Sequence, residues 1–179
     1  MLTLITGGAR SGKSRYAQSL CQNAKRVAYI ATGVACDDEM NVRIRKHREA
    51  RPSWWKTVEE SLALSNAVSR HASENDIVLI DCLTLWLSNV CWHWRERDFE
   101  ETEQEVAKEL CAVIQEANSV HLIVVTNEVG SGIVPESPVA RLFRDLQGFA
   151  NQQLAEAADS VYLAVAGIPI RIKPSGGSA

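Results

Sequence analysis

Residues 2–14 read LTLITGGARSGKS, an apolar run followed by a glycine-rich segment. The segment 7–14 satisfies the pattern G-x-x-x-x-G-K-[ST], and it lies directly after a strand-like run and directly before a helical pattern. Glycines let the backbone curl so that successive N–H groups converge on phosphate oxygens, and the following helix adds its positive N-terminal end. The stretch therefore predicts a phosphate-binding loop between a buried strand and a helix.

Every position of this loop is a candidate contact for a nucleoside triphosphate. Lys13 would neutralise the β- and γ-phosphates, and Ser14 would bind Mg²⁺. The alternative is a chance glycine turn, which the flanking strand and helix patterns disfavour. The nucleotide-binding candidates in the loop are Gly7, Gly8, Ala9, Arg10, Ser11, Gly12, Lys13 and Ser14.

Short apolar runs alternate with longer amphipathic stretches along the rest of the chain. Buried strands are predicted over residues 2–6, 27–32, 77–81, 120–126 and 161–166. This alternation is typical of a parallel sheet with crossover helices. Turn residues at 167–169 predict a last short strand over 170–172, antiparallel at an edge of the sheet. We therefore expect an α/β fold of the P-loop NTPase, RecA-like class, with a mostly parallel sheet flanked by helices and a short antiparallel edge at the C-terminus.

Two helices are predicted from apolar residues at the spacing i, i+3, i+4, i+7, with Pro52 and Pro138 marking helix ends and starts. The spacing is met by Leu64, Ala67, Val68 and His71, and again by Val139, Leu142, Phe143 and Leu146. We expect one P-loop nucleotide-binding domain over residues 1–174 and a flexible Gly/Ser tail over 175–179.

Bulk properties narrow the classes of protein. The 179 residues are 46% hydrophobic and 23% charged, as in one globular domain, and the net charge of −3 gives no basic excess for nucleic acid. The cysteines form no CxxC pair, so we expect free thiols in a reducing compartment rather than a disulfide framework or a zinc site. No charged leader and no membrane-spanning segment is visible, so a cytoplasmic protein is expected. The cysteines are Cys21, Cys36, Cys82, Cys91 and Cys111.

Two acidic residues follow predicted strands. Asp81 ends the run 77–81, where P-loop proteins place a carboxylate on the metal side, and it could instead cap the helix that follows. Glu128 lies just after the strand 120–126, at the edge where open α/β sheets bind ligands. It could act as a general base, orient a substrate, or hold the structure through hydrogen bonds.

The segment 37–51 begins with acids and ends with bases, and Pro52 stops it, so it predicts a helix. Met40, Ile44 and His47 share one face, and one interpretation is a histidine packed at the edge of the core. The other is a nucleophile, because a neutral imidazole nitrogen can attack phosphorus and nearby positive charge suits a polyphosphate. The charges could also form a solvated face or a nucleic-acid patch, although no aromatics are interleaved. The basic residues are Arg43, Arg45, Lys46, Arg48 and Arg51.

Together these segments resemble the bifunctional adenosylcobinamide kinase / adenosylcobinamide-phosphate guanylyltransferase family of bacterial cobalamin biosynthesis. The similarity spans nearly the whole chain. It is carried by the segments 7–14, 31–33, 38–47, 51–52, Trp55-x-Thr57-x-Glu59, 81–86, 127–130, 133–135, 144–145, 151–152 and 166–169.

The resemblance implies two reactions: NTP-dependent phosphorylation of the aminopropanol hydroxyl of adenosylcobinamide, and transfer of GMP from GTP to that phosphate. In this family the guanylyl group passes through a histidine phosphoramidate, and His47 holds that position. The resemblance also implies Mg²⁺ with GTP or ATP as substrates, no permanently bound cofactor, a corrinoid partner and a homotrimer. Its nucleotide contacts outside the loop fall on Ala31, Thr32, Gly33, Arg48, Glu49, Ala50, Arg51, Glu59 and Asp81.

The N-K-x-D element that reads guanine in regulatory GTPases is absent from the sequence, so Glu59 and Arg48 are the candidates for base recognition by resemblance. Two alternatives use the same loop: a simpler small-molecule kinase in which His47 is structural, and a nucleotide-driven switch or motor.

The five tryptophans divide into one core candidate and four open cases. Trp86 lies on an apolar helical pattern and is expected in the core. The other four could contact a corrinoid or a neighbouring subunit, or pack locally. They are Trp54, Trp55, Trp92 and Trp94.

Overall fold

The computed structural model describes residues 1–35, 37–49 and 51–173, and these build one sheet with helices on both faces. The strands are β1 Leu2–Gly7, β2 Val27–Ala31, β3 Lys56–Glu59, β4 Ile77–Asp81, β5 His121–Val125, β6 Ser160–Val165 and β7 Ile168–Lys173. The helices are α1 Lys13–Leu20, α2 Asp38–Glu49, α3 Leu64–Ala72, α4 Leu83–His93, α5 Phe99–Glu116 and α6 Pro138–Ala157. The predicted tail at 175–179 lies outside the described residues.

The strand order is β3-β2-β4-β5-β1-β6-β7. Every neighbouring pair from β3 to β6 is parallel, and β7 runs antiparallel to β6. The predicted mostly parallel sheet with an antiparallel C-terminal edge is therefore confirmed. Because parallel strands end at a common edge, the segments that follow β1, β2, β3, β4 and β5 meet at one side of the molecule.

Alternate residues of the central strands pack into two separate hydrophobic cores, one on each face of the sheet. On one face, Leu4, Ile30 and Ile80 pack with α3, α4, α5 and α6, and on the other, Tyr29 and Leu79 pack with α1. Burial on both faces explains why these strands are continuous apolar runs in the sequence. Each buried aliphatic side chain contributes about 1.5–3 kcal/mol of hydrophobic free energy.

The five predicted strands are present, with ends that differ by one residue at most. The strand β3 was missed, because it has four residues and its side chains, from Lys56 to Glu59, are exposed or half-buried rather than apolar and buried. It gains its place from pairing with β2, which a single-sequence pattern does not show.

The two helical spacings correspond to α3 and α6. Leu64, Ala67 and Val68 are buried as predicted, and Pro138 is the first residue of α6. Val139 was expected on the buried face and is instead 58% exposed, because the buried residues of α6 begin only at Leu146.

The tryptophans separate clearly. Trp86 is fully buried, which confirms the prediction, and its Nε1 donates to the Leu62 carbonyl at 2.9 Å. Trp55 is buried beside Tyr29, and Trp94 packs partly against the larger core. Trp54 and Trp92 are exposed.

The described cysteines are free thiols. Burial raises the pKa of Cys21 to about 12 and that of Cys91 to about 11. Cys36 lies outside the described residues. The free cysteines are Cys21, Cys82, Cys91 and Cys111. Within the described part of the chain, every helix is too short or too polar to cross a bilayer.

Candidate functional site

A cavity of about 1280 Å³ opens at the edge of the sheet where the parallel strands end. It brings together segments that are distant in the sequence: the glycine-rich loop, the ends of β2, β3 and β4, the helix α2 and the start of the segment after β5. The predicted site residues that line it are Ala9, Arg10, Ser11, Gly12, Lys13, Ser14, Ala31, Gly33, His47, Arg51, Glu59, Asp81 and Glu128.

Other predicted contacts lie outside the lining. Gly7 belongs to β1, and Gly8 follows it at the base of the loop. Arg48 and Glu49 are exposed at the end of α2. Ala50 lies outside the described residues.

The glycine-rich loop depends on backbone conformations that only glycine adopts easily. Gly7 has φ +146°, and a Cβ there would lie 2.4 Å from the Ala164 carbonyl oxygen. Gly12 has φ +95°, and a Cβ there would lie 3.0 Å from the Gly167 Cα. The turn between β6 and β7 also donates from Gly167 N–H to the Ser11 carbonyl at 2.9 Å. The β6–β7 hairpin therefore packs against the loop and stabilises its conformation.

Lys13, the first residue of α1, is buried and directed back onto the loop. Its Nζ donates to the carbonyls of Gly7 at 2.9 Å and Gly8 at 2.6 Å. Burial lowers the pKa of Lys13, and the nearby Cys82 and Asp81 oppose that shift. The ammonium group is thus held at the loop, where it can neutralise phosphate charge.

Asp81 lies at the end of β4 and faces the cavity. Its Oδ2 accepts a hydrogen bond of 2.5 Å from the hydroxyl of Tyr29. The alternative in which Asp81 caps the following helix is wrong, because the N-cap of α4 is Cys82 and no side-chain cap is made there. The register of the sheet places Asp81 beside Ala31, which is itself beside Glu59.

Thr32 is fully buried behind this edge. Its hydroxyl donates to the Cys82 carbonyl at 2.6 Å and accepts from the Cys82 N–H at 2.9 Å. This reciprocal pair joins the segment after β2 to the segment after β4. Here the Thr32 side chain holds the cavity wall together rather than lining it.

Glu128 lines the cavity and is also part of a hydrogen-bond network. Its Oε1 accepts from Thr6 at 2.9 Å and from Asn151 at 3.0 Å. Asn151 in turn accepts from Thr126 at 2.7 Å and from Gln147 at 2.9 Å. The structural interpretation and the substrate-facing interpretation of Glu128 are therefore compatible.

His47 lies on α2 with its ring exposed, and it lines the same cavity as Lys13 and Asp81. The interpretation of a histidine packed at the edge of the core is wrong. Met40 and Ile44, on the same face, also line the cavity, so the apolar spacing marks the face of α2 that borders the cavity. Met40 N–H donates to the Asp37 carboxylate at 2.7 Å at the start of this helix.

A model of the cobinamide kinase / cobinamide phosphate guanyltransferase family matches residues 3–172. The chain belongs to this family. The match includes every predicted site residue, from the glycine-rich loop through the histidine helix to the strand ends. The resemblance based on the sequence motifs is confirmed.

Three curated relatives are similar over nearly their whole length. The bifunctional adenosylcobalamin biosynthesis protein CobU of Escherichia coli (strain K12) is 43% identical, over 97% of this chain and 100% of the relative. The protein of the same name from Salmonella typhimurium is 41% identical over the same shares. The bifunctional protein CobP of Pseudomonas aeruginosa is 41% identical, over 97% of this chain and 98% of the relative.

A solved structure shows the same fold at low sequence similarity. A prototypical ATPase from the type III secretion system of pathogenic bacteria superposes with a TM-score of 0.59 at 12% identity. The alignment covers 95% of this chain and 56% of that ATPase, so this chain spans little more than half of its length. The likeness confirms the P-loop NTPase fold class.

Sequence reasoning missed Tyr29, whose ring lines the cavity from within the sheet. The sequence contains one indication of its role, because Tyr29 is the aromatic residue in an otherwise aliphatic strand, VAYIA. Its pairing with Leu79 puts it on the same face as Asp81, but that register is visible only once the strand order is known.

Proposed function

We propose that this chain phosphorylates adenosylcobinamide with a nucleoside triphosphate and then transfers GMP from GTP to the phosphate, through a guanylylated His47. The kinase and guanyltransferase activities follow from its family. The observation that carries the proposal is that His47, Lys13 and Asp81 line one cavity, although they come from three separate segments of the chain.

In the kinase step, the aminopropanol hydroxyl attacks the γ-phosphorus of the triphosphate. A new P–O bond forms, the bond between the β–γ bridging oxygen and the γ-phosphorus breaks, and a nucleoside diphosphate leaves. The N–H groups of the loop and Lys13 stabilise the charge on the phosphates. Glu128, whose carboxylate is fixed by Thr6 and Asn151, is the proposed acceptor of the hydroxyl proton or the group that orients it.

In the transfer step, a ring nitrogen of His47 attacks the α-phosphorus of GTP, and the bond from that phosphorus to the α–β bridging oxygen breaks with release of pyrophosphate. The phosphate of adenosylcobinamide phosphate then attacks the same phosphorus, the P–N bond breaks, and adenosylcobinamide-GDP forms. The position of His47 on an exposed helix face bordering the cavity leaves the ring accessible to both reactants.

The residues on the metal side fit Mg²⁺. Ser14 and Asp81 both offer oxygen ligands to the cavity, and Mg²⁺ is usually held by one or two carboxylates together with substrate phosphates. Among the described residues, no group of three or more His, Cys, Asp or Glu side chains is arranged to hold a metal without such help. When bound, the metal would neutralise charge on the transferred phosphate.

We propose that the base is recognised at the end of β3. Glu59 ends β3 and lines the cavity with an exposed carboxylate, which can accept hydrogen bonds from the guanine edge. Arg51 lines it as well, whereas Arg48 does not. We therefore propose that Glu59 reads the base, that Arg51 contacts the nucleotide, and that Arg48 contributes through its charge.

A homotrimer in the cytoplasm, built from one domain over residues 1–174, completes the proposal. The outer strand β7 supports association, because its apolar side chains Ile168, Ile170 and Ile172 are 49–64% exposed on the last strand of the described sheet. Light scattering of the purified protein tests the trimer.

Reconstitution tests the function. The protein is incubated with adenosylcobinamide, ATP and GTP, and the corrinoids are separated by chromatography and identified by mass spectrometry. Formation of adenosylcobinamide phosphate and then adenosylcobinamide-GDP is expected. Accumulation of the phosphate alone would indicate the simpler kinase, and nucleotide hydrolysis without any corrinoid product would indicate a switch or motor.

A further inference from the structure

Tyr29 lies between two groups of the site, the Asp81 carboxylate and the Arg51 guanidinium. It lies in the middle of β2 and is 1% exposed, yet its ring lines the cavity. In the sheet it pairs with Leu79, two residues before Asp81 on the same face of β4. The Tyr29 hydroxyl reaches Asp81, at the edge of the sheet where the substrates would bind.

The hydroxyl of Tyr29 fixes one oxygen of Asp81. The O–H donates to Oδ2 at 2.5 Å. A tyrosine hydroxyl is protonated at neutral pH, so it serves as the donor in this hydrogen bond. This hydrogen bond restrains the orientation of the Asp81 carboxylate.

The ring of Tyr29 fixes a cation. The guanidinium of Arg51 lies 3.5 Å from the ring centroid, and its Nη1 is 3.5 Å from the Thr57 hydroxyl. Trp55 stacks beside the same ring at 6.3 Å with an interplanar angle of 30°. A guanidinium at this distance gains cation–π stabilisation and loses little freedom when it binds an anion.

We propose that Tyr29 is a positioning residue that sets Asp81 through its hydroxyl and Arg51 through its ring. One side chain thus contacts both Asp81, on the proposed metal side of the cavity, and the Arg51 guanidinium. The inference rests on the proposed function, in which Asp81 faces Mg²⁺ and Arg51 contacts the nucleotide. A purely structural Tyr29 would contribute only to the core that it shares with Leu79.

Three variants separate these roles. Tyr29→Phe removes the hydroxyl and keeps the ring, and Tyr29→Leu removes both. Tyr162→Phe is the matched control, because Tyr162 lies on β6, contacts Tyr16 edge-on and does not line the cavity. Binding is measured by calorimetry with a GTP analogue that has a methylene bridge between the α- and β-phosphorus, first in EDTA and then across a MgCl₂ titration.

Tyr29→Phe is expected to need about tenfold more Mg²⁺ for half-maximal strengthening of binding, the loss typical of one hydrogen bond to a charged group, with unchanged affinity in EDTA. Tyr29→Leu is expected to weaken binding in EDTA as well, because the Arg51 guanidinium loses the aromatic ring on which it packs. Tyr162→Phe is expected to match the wild type. In an Asp81→Asn background, Tyr29→Phe is expected to add nothing.

The inference is overturned if Tyr29→Phe follows the wild-type Mg²⁺ titration, or if its effect is equally large in EDTA. It is also overturned if the effect persists in full with Asp81→Asn. Failure of the proposed function has a separate readout, since the wild-type enzyme would then make no adenosylcobinamide-GDP.

Discussion

The glycine-rich loop and the helix α2 border one cavity but are held in place differently. The loop is surrounded: Gly7 and Gly12 touch the β6–β7 hairpin, and Lys13 donates back to loop carbonyls. Most residues of α2 are exposed, and the ring of His47 is among them. Ile44 is half-buried, and its Cδ1 lies 3.9 Å from the position that a Cβ on Gly33 would take.

This difference in packing suits the loop and α2 to different tasks. A loop that binds phosphates must present fixed N–H groups, since preorganised dipoles need no rearrangement during reaction. A nucleophile that first receives GMP and then hands it to a large corrinoid must be reachable from outside. We infer that the rigid loop serves both reactions and that α2 serves the transfer alone.

Removal of the proposed nucleophile, His47, should change the activity most. In His47→Ala, GMP transfer should fall by about a thousandfold or more, as for other covalent catalysts that lose their nucleophile, while phosphorylation of adenosylcobinamide continues. The two products are assayed separately by chromatography. His93→Ala, an exposed histidine on α4 outside the cavity, is the control. Equal loss of both activities in His47→Ala would contradict the division of tasks.

The next effect tests the rigidity of the loop. In Gly7→Ala the new Cβ would lie 2.4 Å from a backbone oxygen and at a φ that side chains rarely adopt, so the fold should lose about 2–4 kcal/mol and both activities should drop. Gly8→Ala is the control, because nothing lies within 4 Å of its Cβ position. Denaturant unfolding measures the loss. Equal stability of the two variants would show that the loop is less constrained than its contacts indicate.

A smaller effect is expected at the junction between the two regions. Thr32→Val leaves both the N–H and the carbonyl of Cys82 without their buried partner, which should cost about 1–3 kcal/mol of unfolding free energy. Thr32→Ser keeps the hydroxyl and should retain most of the stability. Thermal and denaturant unfolding compare the three proteins. If valine is tolerated as well as serine, the reciprocal pair with Cys82 is not what joins β2 to β4.

The smallest effect distinguishes two arginines that were both predicted as nucleotide contacts. Arg51 lines the cavity over the Tyr29 ring, and Arg48 is exposed outside it. Arg51→Ala should weaken nucleotide binding by about tenfold, or roughly 1.4 kcal/mol, and Arg48→Ala by less. Titration at low and high salt measures both. A larger loss in Arg48→Ala would place the nucleotide further along α2 than we propose.

The same contrast explains how much the sequence could predict. The loop has a local cause, because glycines and Lys13 at fixed spacing between a strand and a helix specify its shape by themselves. Asp81 and Glu128 were found for a related reason, since both follow apolar runs that read as strands.

The remaining parts of the site depend on contacts between distant segments. The strand β3 is recognisable only from its pairing with β2, and Tyr29 only from its register with Leu79 and Asp81. For His47, helical spacing alone favoured a packed side chain, and the family resemblance was needed to reverse that interpretation. The exposure of Val139 could not be predicted, because it depends on where α6 meets the sheet.

The covalent intermediate on His47 can be located by mass spectrometry. The enzyme is mixed with GTP in the absence of a corrinoid, quenched in base, digested and analysed by mass spectrometry. We expect one GMP per chain, bonded to a ring nitrogen of His47 and released when adenosylcobinamide phosphate is added. GMP on any other residue, or full transfer by an enzyme that never carries GMP, would contradict it.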